Sequence, residues 1–565
     1  MSVAARRVIM NDKMGKVVTP EEEIFNNFKI DVPEYFNFAS DVVDRWAQKD
    51  RNKLAMIWVN QNGEEKRFTF NDLSKLSNQA ANLLLKHGIR KGDYVFLMLP
   101  RVPEWWIFSL ALVRLGAIQC PSPTLLTPPD LKHRIKCGRF KAVITDMDNA
   151  PKFDEVYNDC PTLSTRIITD GSRPNWISYP EAVSSPTPLS RHEVKTPFAI
   201  TTRSDDPLLC MFTSGTSKYP KMVLHKVSYA LGHRITAELW HGLSSNDLHF
   251  AVSDTGWGKN LWGNYFGQWI VGACVFIYDV IGKFHADELL PLLDKYGISS
   301  FCAPPTVYRM LILNDLTKFD LSQLRRCCSA GEPLNSETIR IWREATGITI
   351  NEAYGQTETV CMIGTFINVK PRLGSMGKAA PYWKVRLLDD DFNDVPVGES
   401  GRIAVELDPV PPIGLFLRYI NNDEENQKAF QRGFYFTGDK ARIDSDGYYW
   451  FVGRNDDIIK SSGYRIGPLE VEEAIIKHPS VHEVAVVGAP DPLRGMLVRA
   501  YIVLHAGYTP TESLVGEIQK FVKHETAPYK YPREIEFVKS LPKTFSGKIK
   551  RDLLRHHAET GEYWE

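Results

Sequence analysis

The sequence has no surplus of either charge, with 68 lysines and arginines set against 68 aspartates and glutamates in 565 residues. That balance gives no bulk attraction to a nucleic-acid backbone or an anionic membrane, so function has to reside in local sites. There is no C-x-x-C pair, and the nine cysteines are dispersed apart from the neighbours Cys327 and Cys328, with no histidine–cysteine cluster at zinc spacing. This excludes a structural zinc of the usual kind and points to a reducing compartment. Long apolar runs are missing as well: Trp105 to Cys120 is interrupted by Arg114, and Phe266 to Tyr278 is too short to span a bilayer. Both are expected as core elements. The N-terminal stretch carries Arg6, Arg7, Lys13 and Lys16 but no secretory apolar core. A cytoplasmic location is expected, with the mitochondrial matrix as the alternative.

What the chain does have is length, enough for roughly three to five structural units. Periodicity predicts helices between Pro33 and about His87, with a capped start near Thr69 and Asn71. Strands follow at Asp93 to Leu99 and Lys141 to Thr145, separated by a helix from Pro103 that ends on Gly116. Strands alternating with helices predict an α/β fold with a mainly parallel sheet. The stretch Ser109 to Pro121 is echoed by Gly267 to Ile277, each a helix, a Gly-Ala step and a strand, which predicts two related α/β layers. Ser184 to Arg203, rich in Ser, Pro and Thr, reads as an exposed connection. After a hairpin turning at Asp446-Gly447 the character changes to a compact α+β unit. The expected division is an N-terminal domain of stacked α/β sheets with a smaller β subdomain, residues 1–453, and a small mobile C-terminal domain, residues 454–565.

Thr213-Ser214-Gly215-Thr216-Ser217-Lys218-Tyr219-Pro220-Lys221 follows the apolar run Pro207 to Phe212. Hydroxyls and backbone N–H groups can donate to phosphate oxygens, Gly215 admits close backbone approach, and the lysines supply positive charge. It lacks the Gly-Lys-Ser/Thr triplet of a Walker A loop. A second loop, Tyr354-Gly355-Gln356-Thr357-Glu358, sets an aromatic, a glycine, hydroxyls and a carboxylate together after a predicted strand. Gly331-Glu332-Pro333 closes another strand, and strand ends running into loops are where open α/β sheets bind ligands. Taken singly, Asp439 and Arg454 read as a structural ion pair, Trp240, Trp257, Trp262 and Trp269 as core, and the basic tail Pro542 to Arg551 as a solvated charge run.

In this order, the segments Thr213 to Lys221, Gly331-Glu332-Pro333, Tyr354 to Glu358, Tyr435 to Asp439, Gly453 to Ile466 and Pro542 to Lys548 resemble the adenylate-forming superfamily. That superfamily includes acyl-CoA synthetases, luciferases and peptide-synthetase adenylation domains. The resemblance runs from about Phe36 to near the end of the chain. Ser253-Asp254-Thr255-Gly256-Trp257 and Lys460 to Ile466 look most like the medium-chain acyl-CoA synthetases. The resemblance implies conversion of a carboxylic acid and ATP into an acyl-adenylate and pyrophosphate, then transfer of the acyl group to coenzyme A, with Mg²⁺ as cofactor.

Residue by residue, the resemblance assigns Glu358 to Mg²⁺, Thr357 to the α-phosphate, and Thr213, Ser214, Gly215, Thr216 and Lys221 to the β- and γ-phosphates. Gly331, Glu332 and Pro333 with Glu352, Ala353 and Tyr354 would form the adenine slot, and Asp439 with Arg454 would face the ribose. Lys548 would bridge the substrate carboxylate and the α-phosphate. Asp456 matches the pivot of a domain rotation between the two half-reactions and Gly463 the pantetheine channel, and Arg465, close to Gly463 in sequence, is expected to contact coenzyme A. Trp257 and Gly355 are expected at the acyl pocket. Acetate-specific relatives carry a tryptophan at the position of Gly355, so its absence predicts room for a medium-chain, branched or aromatic acid. One departure is Lys218, where the family's phosphate loop usually has a second glycine.

Two rivals are weighed against this reading. An enzyme loading a separate carrier protein is opposed by the lack of a carrier domain, and a catalytically silent acyl- or adenine-nucleotide-binding protein by the presence of Glu358, Lys548 and Gly463. The expected partners are the small-molecule acid, ATP and coenzyme A, without nucleic acid or a membrane span, and a homodimer is the assembly to test.

Overall fold

The computed structural model describes residues 10–11, 17–184, 201–213, 220–280, 285–454, 457–461, 464–491, 494–526, 530–544 and 547–564. Most of the connection expected over Ser184 to Arg203 lies outside them. The chain forms two compact units, Met1–Trp383 with Val410–Asn426, and Lys384–Pro409 with Gln427–Glu565.

The first unit holds two large sheets. In the eight-stranded one, Pro207–Phe212, Ile118–Pro121, Tyr94–Met98, Ala142–Thr145, Thr165–Ile168 and Ile177–Ser178 run parallel in that spatial order. Met222–Lys226 and Arg418–Tyr419 extend the Pro207–Phe212 edge antiparallel. Strand Tyr94–Met98 is a continuous apolar run, buried after its first residue, as befits a parallel strand covered on both faces. The helix before its neighbour, Pro103–Leu115, starts on a proline and ends at Gly116, whose φ of 65° supplies the left-handed cap.

The nine-stranded sheet has a parallel centre built from Ile350–Tyr354, Arg326–Ala330, Ser300–Cys302, Leu248–Ala251, Cys274–Asp279 and Leu54–Asn60. The two echoed stretches therefore occupy equivalent settings, each a helix feeding a strand, one in each sheet. Uninterrupted helix from Pro33 to His87 is not what forms. Leu54–Asn60 and Glu65–Thr69 make an antiparallel hairpin on the sheet edge. Leu-Ala-Met-Ile-Trp-Val is a short apolar run that suits a buried strand as well as a helix, and its pairing with Cys274–Asp279 decides between them. The cap prediction holds at Thr69 alone: its hydroxyl accepts from Asp72 N, and the Asp72 carboxylate accepts from Thr69 N.

The second unit contains an all-antiparallel sheet of Val385–Leu388, Ser400–Glu406, Phe434–Ile443 and Phe430–Gln431, with Tyr449–Arg454 also paired to Phe434–Ile443. The expected boundary at 453/454 falls within Tyr449–Arg454. Further along, Val481–Asp491, Gly495–Leu504, Ile459–Ser461, Tyr464–Ile466 and Glu534–Phe537 form another sheet. Helices Pro468–Ile475 and Glu512–Glu525 contribute Val471, Ile475, Ile518 and Val522 to a core on it. Helix Arg551–Thr560 packs Leu554 into a second cluster with Ala485, Val487 and Tyr501.

Candidate functional site

Strands Pro207–Phe212 and Met222–Lys226 are antiparallel neighbours, so the two ends of the segment that joins them lie side by side. Its base is closed by Thr213 N donating to Lys221 O at 2.9 Å. Ser214, Gly215, Thr216 and Lys218 lie outside the described residues. At the rim, Thr213 Oγ1 is buried and has no hydrogen-bond partner among the described residues. Such a group costs free energy unless something meets it. Across the loop base, the Lys221 ammonium pairs with Glu425 at 2.9 Å and lies 4.6 Å from the centre of the Tyr419 ring.

The loop after Ile350–Tyr354 is gripped by Met222–Lys226 and by the segment Phe416 to Tyr419, whose strand Arg418–Tyr419 pairs with Met222–Lys226. Three hydrogen bonds meet two consecutive residues: His225 Nε2 reaches Thr357 O at 2.7 Å, Phe416 N donates to Glu358 O at 2.8 Å, and Tyr419 Oη donates to Glu358 Oε1 at 2.8 Å. Glu358 is 8% exposed. Within the loop, Gln356 N donates to Thr359 Oγ1 at 2.9 Å, which closes the turn. A buried carboxylate with one oxygen held by a tyrosine is suited to a hard divalent cation on its other oxygen. The first unit thus brings Thr213, Lys221, Thr357 and Glu358 near one another.

The candidate adenine-side residues are also neighbours. Strands Arg326–Ala330 and Ile350–Tyr354 run parallel, with Ser329 opposite Glu352 and Ala330 opposite Ala353, so the loops leaving them emerge side by side. Glu352 Oε1 accepts from Leu334 N at 2.9 Å, tying Gly331-Glu332-Pro333 to the neighbouring strand. Glu332 itself pairs with Arg309 at 3.3 Å. Lys259 Nζ caps Ala330 O at 3.3 Å.

Gly355 does not translate into empty space. A Cβ there would lie 2.4 Å from Trp262 Cη2 and 2.5 Å from Val360 O. The room that a side chain at 355 would take is filled by the Trp262 indole, which arrives from helix Gly258–Gly263. Trp257, half-buried, stands at the start of that helix, where Asn260 N donates to its carbonyl at 3.0 Å. Behind Trp262 lie His233 and Tyr229, and Tyr229 packs on His225 with ring centroids 3.9 Å apart. His225 is fully buried, and burial pushes its pKa down to about 4, so the imidazole is neutral.

In the second unit, Asp439 and Arg454 face each other in register across Phe434–Ile443 and Tyr449–Arg454. Asp439 is buried and Arg454 exposed. Lys548 sits on a tight loop in which Thr544 N donates to Lys548 O at 2.7 Å and Lys548 N donates to Thr544 Oγ1 at 3.1 Å. Asp456 and Gly463 lie outside the described residues, while the backbone of Arg465 pairs with Lys460 in the Tyr464–Ile466 hairpin. The residue after Asp456 is anchored, since Asp457 forms an ion pair with Arg555 of the last helix.

Four contributors escape sequence reasoning: His225, Trp262, Tyr419 and Glu425. His225 sits inside an apolar strand pattern, Trp262 reads as one of four crowded tryptophans, and Tyr419 and Glu425 lie far downstream of the segments they hold. For His225 the available signal is its place on the same strand as Lys221's exit from the loop.

Comparison with known proteins identifies the family. Residues 43–409 match the AMP-binding enzyme family model, and residues 470–548 match the AMP-binding enzyme C-terminal domain. The human mitochondrial acyl-coenzyme A synthetase ACSM3 is 42% identical over 558 residues, covering 96% of this chain and 94% of that protein. Human mitochondrial acyl-coenzyme A synthetase ACSM5 is 43% identical, covering 93% and 91%. Among solved structures, the anthranilate CoA ligase AuaEII in complex with anthranoyl-AMP superposes with a TM-score of 0.83 at 31% identity, over 93% of this chain and 98% of that one. A benzoate CoA ligase from Burkholderia xenovorans gives 0.79 at 26% identity, over 92% and 100%. With these two family models matched and relatives above 40% identical along nearly its whole length, this chain belongs to the AMP-binding enzyme family.

Proposed function

We propose that this chain is an AMP-forming acyl-CoA synthetase that activates a medium-chain, branched or aromatic carboxylic acid and passes the acyl group to coenzyme A. The observation that carries the reading is the convergence of Thr213, Lys221, Thr357 and Glu358 around strand Met222–Lys226 and its two neighbours in the first unit. Acyl-CoA synthetases use ATP, Mg²⁺ and coenzyme A, and the buried Glu358 carboxylate suits the metal.

In the first step a carboxylate oxygen bonds to the α-phosphorus while the bond to the bridging oxygen breaks and pyrophosphate leaves. Thr213, Ser214, Gly215, Thr216 and Lys221 hold the departing β- and γ-phosphates, and Thr357 meets the α-phosphate oxygen. Glu358 would hold Mg²⁺, which when bound would offset charge building on the phosphates. Gly331, Glu332 and Pro333 with Glu352, Ala353 and Tyr354 seat the adenine, and Asp439 with Arg454 the ribose. Lys548 bridges the substrate carboxylate and the α-phosphate, where a fixed cation stabilises the charge that develops on attack.

In the second step the coenzyme A sulfur bonds to the acyl carbon, the thiol proton is lost, and AMP leaves. Orientation governs this step more than a dedicated base does, because a thiolate is already strongly nucleophilic at its small neutral-pH population. Gly463 lines the pantetheine path, Arg465 contacts coenzyme A, and residues 454–565 rotate about Asp456 between the steps. Trp257 and Gly355, with Trp262, bound the acyl chain.

The test is pyrophosphate release from a panel of acids, acetate to dodecanoate with branched and aromatic members, with and without coenzyme A. Release with hexanoate-sized or aromatic acids and thioester only with coenzyme A is the expected result; no release with any acid overturns the reading. We further propose a mitochondrial location, which the names of the similar human proteins support, and a homodimer. No described helix is long and apolar enough to cross a membrane. Import of a tagged chain and light scattering of the purified protein test the two proposals.

A further inference from the structure

Resting on the synthetase reading, we propose that His225 is a positioning residue for adenylation: its Nε2–H holds the Thr357 carbonyl and so fixes Thr357 and Glu358 against the strand that leaves the phosphate loop. The 2.7 Å contact is to a carbonyl oxygen, which can only accept, so Nε2 carries the hydrogen. The carbonyl belongs to the peptide joining Thr357 to Glu358, and pinning it orients both residues at once. His225 stands on Met222–Lys226, directly after Lys221. One short rigid strand therefore links the β,γ-phosphate side of the site to the α-phosphate and metal side.

The rest of the imidazole contributes nothing polar. Nδ1 is buried with no hydrogen-bond partner among the described residues, and the ring is packed at a tilt against Tyr229. An apolar ring would fill this space without an orphaned nitrogen, so the one chemical gain from histidine here is the Nε2–H bond. The neighbouring grips do not duplicate it: Phe416 N holds the next carbonyl, of Glu358, and Tyr419 holds the Glu358 carboxylate. Without His225 the Thr357 carbonyl would lose its fixed donor while its neighbours stayed held, letting that peptide rotate.

Glutamine and asparagine separate the two ring nitrogens, since the Gln side-chain amide nitrogen reaches where Nε2 sits and the Asn one where Nδ1 sits. For His225→Gln the expected kcat/KM for MgATP in pyrophosphate release stays within about threefold of wild type, and for His225→Asn it falls about tenfold or more. Thioester formation from supplied acyl-adenylate should change less than about threefold in both, because that step needs no pyrophosphate departure. Equal loss in the two variants, no loss in His225→Asn, or equal loss in both half-reactions overturns the proposal. Should His225→Asn fail to fold, the ring tautomer of wild type decides: ¹⁵N spectroscopy should find Nε2–H, and an Nδ1–H ring sinks the idea. Wild-type protein that releases no pyrophosphate with any acid would instead remove the synthetase reading itself.

Discussion

Tyr419 donates its hydroxyl hydrogen to Glu358 Oε1 at 2.8 Å while its ring lies 4.6 Å from the Lys221 ammonium. One side chain thus touches the candidate metal carboxylate and the candidate phosphate lysine. The two contacts are separable, because the ring contact survives loss of the hydroxyl. Tyr419→Phe should raise the Mg²⁺ concentration for half-maximal pyrophosphate release about tenfold, in keeping with losses seen when partners of metal-binding groups are removed. Protein stability should change little. A Mg²⁺ titration identical to wild type would show that the hydroxyl does not orient Glu358.

Trp262 and Gly355 are sterically one unit. Gly355→Ala would place a methyl 2.5 Å from the Val360 carbonyl and 2.4 Å from the indole, and backbone at Val360 cannot step aside cheaply. It should destabilise the first unit by about 1–3 kcal/mol and lower turnover with all acids. Trp262→Leu removes the ring from the space that Gly355 leaves, so the preferred acid should lengthen. A chain-length profile of kcat/KM checks this, and an unmoved optimum would place the acyl group elsewhere.

The contrast between these residues shows how far the sequence can be read. Gly355 is legible because a glycine in a motif says that a side chain is missing. It cannot say what fills the gap, since Trp262 comes from a helix almost a hundred residues earlier. Likewise Thr213, Lys221, Thr357 and Glu358 are visible as loops of hydroxyls, lysine and carboxylate after apolar strands. Tyr419 is not, because its only local mark is one tyrosine in an apolar stretch, and its role arises from the antiparallel pairing of Arg418–Tyr419 with Met222–Lys226. The parallel sheets were readable from alternation and from caps such as Gly116. Leu54–Asn60 was not, because a six-residue apolar run carries no period and its identity is set by Cys274–Asp279, far along the chain.

Burial of neutral histidines predicts acid lability. Burial pushes His225 down to about 4 and His249 to about 3, and holds His233 and His241 below the ordinary 6.5. Between about pH 4 and 6.5 the unfolded chain binds protons on these rings that the folded chain does not. Stability is therefore full above pH 6.5 and falls as pH drops toward 4, by about 1 kcal/mol per histidine per pH unit. Calorimetry at pH 7.5, 6.5 and 5.5 should show Tm falling slightly over the first step and more steeply over the second, with net proton uptake on unfolding at pH 5.5. His225→Gln should shallow the fall. A flat Tm down to pH 5 would mean that these rings are charged or hydrated in the native state.

Lys548 permits the cleanest separation of fold from chemistry. Its loop is shaped by backbone and by Thr544, which donates from its N–H to Lys548 O at 2.7 Å and accepts from Lys548 N at 3.1 Å, with Gly547 at a φ of 85°. These contacts run through the Lys548 backbone, which Lys548→Ala retains. What it removes is a cation that, on the proposed mechanism, meets charge building between carboxylate and α-phosphate and has no part in thiol attack. Adenylate formation should fall by about two orders of magnitude or more, the scale set by losing one preorganised electrostatic partner. Thioester formation from supplied acyl-adenylate should fall far less. Rapid-quench measurement of the two half-reactions distinguishes the outcomes: loss confined to adenylation places the ammonium at the α-phosphate, whereas equal loss in both assigns Lys548 to something the steps share.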